Sequence, residues 1–86
     1  MLNIEELRKQ IDEIDAKVVE LLNRRAELSL QVKKLKLANN LPVYDKDREE
    51  KIHRLIKEKN KGLLREQDLE RIYRLLLEVM RGIDAP

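Results

Sequence analysis

Residues 4–38 read IEELRKQIDEIDAKVVELLNRRAELSLQVKKLKLA and contain neither proline nor glycine. Their apolar side chains recur at steps that alternate between three and four residues, which places them along one side of a helix. This apolar seam consists of Ile4, Leu7, Ile11, Ile14, Val18, Leu21, Leu28, Val32 and Leu35. Asn39, Asn40 and Pro42 follow, and they end the helix because asparagine tolerates left-handed backbone and proline disfavours helical geometry before it. The pattern predicts one helix over residues 4–38.

Two shorter helices are predicted after this one. The first covers about residues 46–60, because Asp45 and Asp47 are both good N-caps. The second covers about residues 66–81 and can end at Gly82. Its main apolar stripe consists of Leu69, Ile72, Leu76 and Val79. The expected fold is therefore all-α, as a single domain over residues 1–86 with one very long, one short and one medium helix.

The composition of the 86 residues excludes several classes of protein. The chain has no cysteine and one histidine, which argues against disulfides, a thiol nucleophile and a histidine-rich metal site. No apolar run reaches the ~18 residues of a membrane span, and the N-terminus lacks a secretory signal, so a cytoplasmic protein is expected. The 19 basic and 17 acidic residues are mixed and only two residues are aromatic, which argues against a nucleic-acid partner.

The length of the first helix predicts the oligomeric state. A helix over residues 4–38 is about 50 Å long, whereas a compact chain of this size has a radius of gyration of about 12 Å. Two short helices cannot cover so long a seam. We therefore expect the helix to pack on a second copy of itself, in an intertwined helical homodimer.

Arg25 occupies the position after Leu21 at which the seam should continue. A guanidinium keeps its charge, so Arg25 requires an anionic partner, which can be a protein carboxylate such as Glu20 or Glu27, or a ligand. Lys36 follows eleven residues later. It lies about 20° from Arg25 around the helix and about 16 Å along it, so the two residues can bracket a small anion.

Two other basic residues are interpreted from their positions. Arg8 precedes Arg25 by 17 residues, or about 25 Å of helix, and can reach the same small ligand only from a partner subunit. His53 is expected to be solvated on a charged helix.

Three fragments in this order resemble the all-helical class of chorismate mutases. They are LRKQIDEIDAKVVELLNRRAEL at 7–28, VKKLK at 32–36 and PVYDKDRE at 42–49. The sequence IYRLLLEVM at 72–80 is similar to the third helix of that family, though less closely. The resemblance implies a dimer of three-helix chains that rearranges the dianion chorismate to prephenate, with no cofactor, no metal and no covalent intermediate.

The resemblance also implies roles for basic residues. Arg8 matches the arginine that enters the site from the partner subunit, and Arg25 and Arg48 match those that bind the substrate carboxylates. Lys36 matches the lysine at the ether oxygen. Arginines suit carboxylates because they bind bidentately, and a fixed lysine suits the negative charge that grows on the ether oxygen.

Acidic and C-terminal residues complete the implied site. Asp45 and Glu49 match residues that contact backbone or hydroxyl groups of the substrate site. The family usually has a small polar residue in the third helix and, four residues later, a glutamine at the ether oxygen. Met80 and Asp84 occupy those positions here. The departure suggests either a weaker enzyme or one domain of a longer fused polypeptide.

Two environments are considered for Asp84. If the helix continues past Gly82, burial beside the substrate raises the pKa of Asp84, and activity rises from pH 8 towards pH 5. If Gly82 ends the helix, the last four residues fray and Asp84 lies in water, which the sequence slightly favours.

Two other functions stay open at this point. An isochorismate-pyruvate lyase can use the same cationic pocket. A non-catalytic helical dimerisation module is also compatible with the seam, and it predicts that Arg25 pairs with a protein carboxylate and that no pocket forms.

Overall fold

The computed structural model describes residues 3–84, and the part described consists of three α-helices joined by short loops. They are α1 (Ile4–Ala38), α2 (Lys46–Lys59) and α3 (Glu66–Arg81). The predicted all-α class with one very long, one short and one medium helix is confirmed. Of the helices described, none is both long and apolar enough to cross a bilayer.

The ends of α1 follow from two asparagines, Asn3 and Asn40. The side chain of Asn3 accepts a hydrogen bond from the Glu6 amide at 2.9 Å and so caps the N-terminus. At the other end Asn40 adopts a left-handed backbone, with φ of 55°. The amide of Leu41 then donates to the Lys36 carbonyl at 2.7 Å, which completes a Schellman motif and turns the chain towards α2.

The two shorter helices begin and end close to their predicted limits. Asp45, rather than Asp47, caps α2, because its carboxylate accepts the Arg48 amide at 3.0 Å. α2 ends at Lys59, one residue before the predicted limit. α3 ends at Arg81, and the Gly82 amide donates back to the Val79 carbonyl at 3.1 Å.

The small core lies between α2 and α3. Ile52, Ile56 and Leu77 are buried together and are surrounded by three partly buried residues of α3. The solvated position predicted for His53 is wrong. Its side chain is half-buried and its Nδ1 is inaccessible to water, because it follows Ile52 on the inward side of α2.

The first helix is the least covered part of the chain. α3 packs against both α2 and α1, yet α1 has no buried residue. Every residue of the apolar seam is between 44% and 65% exposed. The radius of gyration is 16.2 Å, well above the roughly 12 Å of a compact chain of this length. An exposed apolar stripe of this length, interrupted only at Arg25 within the seam, is typical of a surface that binds another protein.

Candidate active site

A cavity of about 330 Å³ lies where the three helices meet. The side of α1 that faces it contributes Arg25, Leu28, Ser29, Val32, Lys33 and Lys36. The loop before α2 and α2 itself contribute Val43, Asp45, Arg48, Glu49 and Ile52. The last turns of α3 contribute Leu77, Met80 and Arg81.

Arg25 and Lys36 share this cavity, as their spacing predicts. The Nη1 of Arg25 donates to the Ser29 hydroxyl at 3.4 Å, and the side chain is half-buried. Within residues 3–84 no carboxylate pairs with Arg25, so the alternative in which Glu20 or Glu27 is its partner is wrong. Both acidic residues are exposed on other sides of α1.

Lys36 is fixed at the wall of the cavity by the loop that follows α1. Its Nζ donates to the Val43 carbonyl at 3.2 Å. The same turn that reverses the chain after Lys36 therefore also supplies the acceptor that orients its side chain. An ammonium group held by one acceptor keeps its other two N–H donors for a ligand.

The start of α2 brings three predicted residues to the opposite wall. Asp45 is oriented by its cap to the Arg48 amide, and the side chains of Arg48 and Glu49 follow it into the cavity lining. The carboxylate of Glu49 forms an ion pair with Arg81 of α3. Glu49 is therefore partly neutralised by a residue that the sequence did not assign to the site.

Arg81 is the main site residue that the sequence analysis missed. Its guanidinium also lies over the Tyr44 ring, 5.1 Å from the centroid, in the geometry of a cation–π contact. A signal for it existed, because Arg81 lies four residues after buried Leu77 and thus on the same side of α3.

Lys33 holds the end of α3 against α1. Its Nζ donates to the carbonyls of Arg81 and Ile83, at 3.3 and 3.0 Å, and to the Asp84 carboxylate at 2.8 Å. The side chain is only 19% exposed. A lysine that satisfies two carbonyls at a helix C-terminus also complements the negative end of the helix dipole.

Asp84 is not where the first of its two predicted environments placed it. α3 ends before it, its side chain is 83% exposed, and it is absent from the cavity lining. The hydrogen bond and the charge of Lys33 lower the pKa of Asp84, so the predicted rise is wrong. The second environment is the one found in two respects, because Gly82 ends the helix and Asp84 lies in water. Ile83 and Asp84 do not fray, however, because Lys33 binds both. Ala85 and Pro86 lie outside the described residues.

Two further predicted residues are found at different depths. Met80 is buried and lines the cavity, where it offers apolar contact and no hydrogen-bond donor. Arg8 is exposed on α1 and pairs with Glu5 at 3.1 Å, outside the cavity of its own chain. Arg8 therefore does not contribute to the cavity of its own chain.

The cavity has the electrostatics of a site for a small polyanion. Five cationic side chains line it, against the two carboxylates of Asp45 and Glu49. Lys33 is paired with Asp84 and Arg81 with Glu49, so within residues 3–84 the cations of the cavity without a carboxylate partner are Arg25, Lys36 and Arg48. The remaining lining is largely apolar. Across residues 3–84, histidine and carboxylate side chains do not cluster in a way that could hold a metal ion.

A family model and similar curated proteins point to the same family. Residues 7–84 match the model of the family described as chorismate mutase type II. The chain is similar to a bifunctional chorismate mutase/prephenate dehydratase of Aquifex aeolicus, with 38% identity over 98% of this chain and 24% of that protein. It is also similar to a chorismate mutase of Methanocaldococcus jannaschii, with 39% identity over 64% of this chain and 60% of that protein.

A solved structure and a further relative agree with this family. A chorismate mutase structure from Thermus thermophilus, Form II, superimposes with a TM-score of 0.88 at 25% identity, covering 90% of this chain and 88% of that one. A second bifunctional relative, from Neisseria gonorrhoeae, is 33% identical over 92% of this chain and 21% of its own length. The chain thus spans about a quarter of the length of the bifunctional relatives.

Proposed function

The chain belongs to the family of type II chorismate mutases, and from this premise we propose that it is an isomerase that converts chorismate to prephenate, a step in the biosynthesis of phenylalanine and tyrosine. The observation that carries the proposal is the cavity in which Arg25, Lys36 and Arg48 converge from α1 and α2. Its size and its excess of cations suit a small dianion such as chorismate.

The reaction is an intramolecular rearrangement in which a C–O bond breaks while a C–C bond forms. It requires no proton transfer, so the protein must hold the flexible enolpyruvyl group over the ring in a reactive conformation. In this proposal Arg25 and Arg48 bind the two carboxylates, and Asp45 and Glu49 contact polar groups around the ring.

Lys36 has a different task in this mechanism. Negative charge grows on the ether oxygen as its bond to the ring breaks. A cation already fixed beside that oxygen stabilises the transition state more than the ground state. The contact of Lys36 with the Val43 carbonyl supports this role, because it fixes the ammonium group before the substrate arrives.

The active form in this proposal is a homodimer in which Arg8 of the partner subunit completes each site. The exposed seam of α1 supports it, since nine large apolar side chains are left open to water in one chain. The distance between Arg8 and Arg25, about 25 Å along one helix, supports it as well.

The two alternatives meet different evidence. A non-catalytic module predicts no pocket and an Arg25 paired with a carboxylate; within residues 3–84, the cavity and the unpaired Arg25 argue against it. An isochorismate-pyruvate lyase would use the same cations, so only an assay separates it from a mutase.

We expect purified protein to convert chorismate to prephenate. Consumption of chorismate is measured as the loss of its absorbance, and prephenate is identified as the product. Isochorismate is offered in parallel, with release of pyruvate as the measurement. The control is a variant in which Arg25 and Lys36 are both changed to alanine. Pyruvate release without prephenate formation would replace the mutase by the lyase, and no turnover of either substrate would refute both.

We expect Asp84→Asn to leave the dependence of kcat/KM on pH unchanged between pH 5 and pH 8. Because Lys33 lowers the pKa of Asp84 below 3.8, this carboxylate stays ionised over that range. Its contribution to stability is present above the unfolded-state pKa of about 3.8 and is lost only as the pH falls through the lowered value. A rise in wild-type activity towards pH 5 that Asp84→Asn abolishes would contradict this assignment.

Two broader expectations stay predictions. The first is a cytoplasmic location. The second is fusion to another domain, which is supported by two relatives whose names join a chorismate mutase to a prephenate dehydratase. Such a fusion joins the enzyme that makes prephenate to one that consumes it.

A further inference from the structure

We propose that Arg81 is a further substrate-binding residue of this chain, which donates hydrogen bonds from α3 to a carboxylate of the bound dianion. The inference rests on the proposed function, and it concerns a residue that the resemblance does not assign. The supporting observation is the set of side chains with which each helix lines the cavity. α1 and α2 offer both cations and polar groups, whereas α3 offers Leu77, Met80 and Arg81.

Arg81 is the polar residue that α3 contributes to the lining. Met80 has no donor, and Asp84 is held outside the cavity by Lys33. Any hydrogen bond that a ligand forms with the α3 side of the cavity therefore involves Arg81. This wall would otherwise be apolar, and it would leave ligand oxygens that face it without donors.

Arg81 is held in place on three sides. Glu49 accepts a hydrogen bond from its Nη1, the Tyr44 ring lies under its guanidinium, and Lys33 binds its main-chain carbonyl. These contacts come from α2, from the loop before it and from α1. A side chain fixed before binding loses less conformational entropy when the ligand arrives.

The guanidinium keeps donors for a ligand despite its pair with Glu49. A guanidinium has five N–H groups in a planar fork. In the part of the chain described here, its one side-chain hydrogen bond is the one from Nη1 to Glu49. A single arginine can thus bridge a protein carboxylate and a ligand carboxylate, and Glu49 then orients the fork rather than occupying it.

The charge of the cavity agrees with this role. Arg81 is one of five cations that line it, and it neutralises Glu49, which would otherwise repel a dianion. The experiment must therefore separate two effects, namely direct binding of the substrate and simple neutralisation of Glu49.

The test is the binding of prephenate, measured by chemical-shift titration of the intact protein, which reports affinities down to the millimolar range. We expect Arg81→Met to weaken binding about 10- to 100-fold, the usual cost of losing a charge-assisted hydrogen bond. Arg81→Lys should give an intermediate loss, because lysine keeps the charge without the planar fork. Because Arg81→Met also removes the ion-pair partner of Glu49, whose side chain is 21% exposed, thermal unfolding is measured for each variant to show that it is folded at the temperature of the titration.

Arg74→Met is the matched control. Arg74 lies two turns earlier on the same side of α3, is exposed, and does not line the cavity. The change removes the same charge from the same helix. If Arg81→Met weakens binding no more than Arg74→Met does, the effect is one of net charge and the proposal is overturned.

The Glu49→Gln background separates the two remaining effects. If Arg81 binds the dianion, Arg81→Met still weakens binding by about fivefold or more in that background. If Arg81 only neutralises Glu49, the loss of affinity in that background is less than fivefold and the proposal is overturned.

Binding and turnover together distinguish this proposal from the proposed function. Prephenate that binds through Arg81 without any turnover of chorismate would refute the proposed function and keep this assignment. If the wild type turns over chorismate and Arg81→Met binds prephenate as tightly as the wild type does, the proposed function is kept and the assignment of Arg81 is refuted.

Discussion

Lys36→Ala is expected to lower kcat for chorismate by about 10²-fold or more, with a smaller change in KM. The reason is that its ammonium group meets a charge that exists fully only in the transition state, and removal of one such preorganised donor costs about this much. In the structure, Lys36 lines the cavity and is oriented by the Val43 carbonyl. The measurement is steady-state kinetics with chorismate, at saturating and limiting concentrations.

Lys34→Ala is the matched control for this variant. Lys34 has the same charge on the same turn of α1, but it is exposed and does not line the cavity. We expect its kcat to stay within about twofold of the wild type, as for most surface substitutions. A Lys36→Ala enzyme with the kcat of the wild type would show that another group stabilises the ether oxygen.

The fold could be predicted from the sequence because its main signals are local. The three-and-four spacing of the seam determines α1, and the left-handed Asn40 ends it where asparagine is expected to do so. Asp45 and Gly82 mark the limits of α2 and α3 in the same way. Such signals depend on neighbours within four or five residues along the chain, so they do not require knowledge of the packing.

The site could be predicted only where one helix or one loop carries it. Arg25 and Lys36 share a side of α1, and Asp45, Arg48 and Glu49 begin α2, so sequence spacing brings each group together. The contacts that the sequence analysis missed are tertiary. Arg81 meets Glu49 across 32 residues, and Lys33 meets Asp84 across 51.

Asp84 illustrates how a tertiary contact reverses a prediction from sequence. Its position after Gly82 suggested either burial with a raised pKa or a frayed end. Lys33 supplies a third environment, in which an exposed carboxylate is paired and its pKa falls. That lysine belongs to the VKKLK fragment, whose only assigned residue was Lys36. Its partner could be recognised only after the end of α3 had been positioned against α1.

The variants Arg8→Ala and Arg25→Ala are each expected to be nearly inactive. When the two variant proteins are mixed and refolded, the mixture is expected to recover about a quarter of wild-type activity. Refolded from an equal mixture, half of the dimers contain one chain of each variant. In such a dimer, the chain with Arg8→Ala keeps its own Arg25 and receives Arg8 of the partner subunit. One of its two sites is therefore intact, and the other lacks both arginines.

The control is a mixture of Arg25→Ala with Lys36→Ala, refolded in the same way. Arg25 and Lys36 line the cavity of one chain, so every mixed dimer has one defect in each site and no activity should return. Arg8 differs because it is exposed near the N-terminus of α1 and lies about 25 Å along the helix from Arg25. Native mass spectrometry of subunits with different isotope labels verifies that mixed dimers form. If they form and the first mixture stays inactive, Arg8 does not act across the interface, and the exposed seam of α1 serves dimerisation without a shared site.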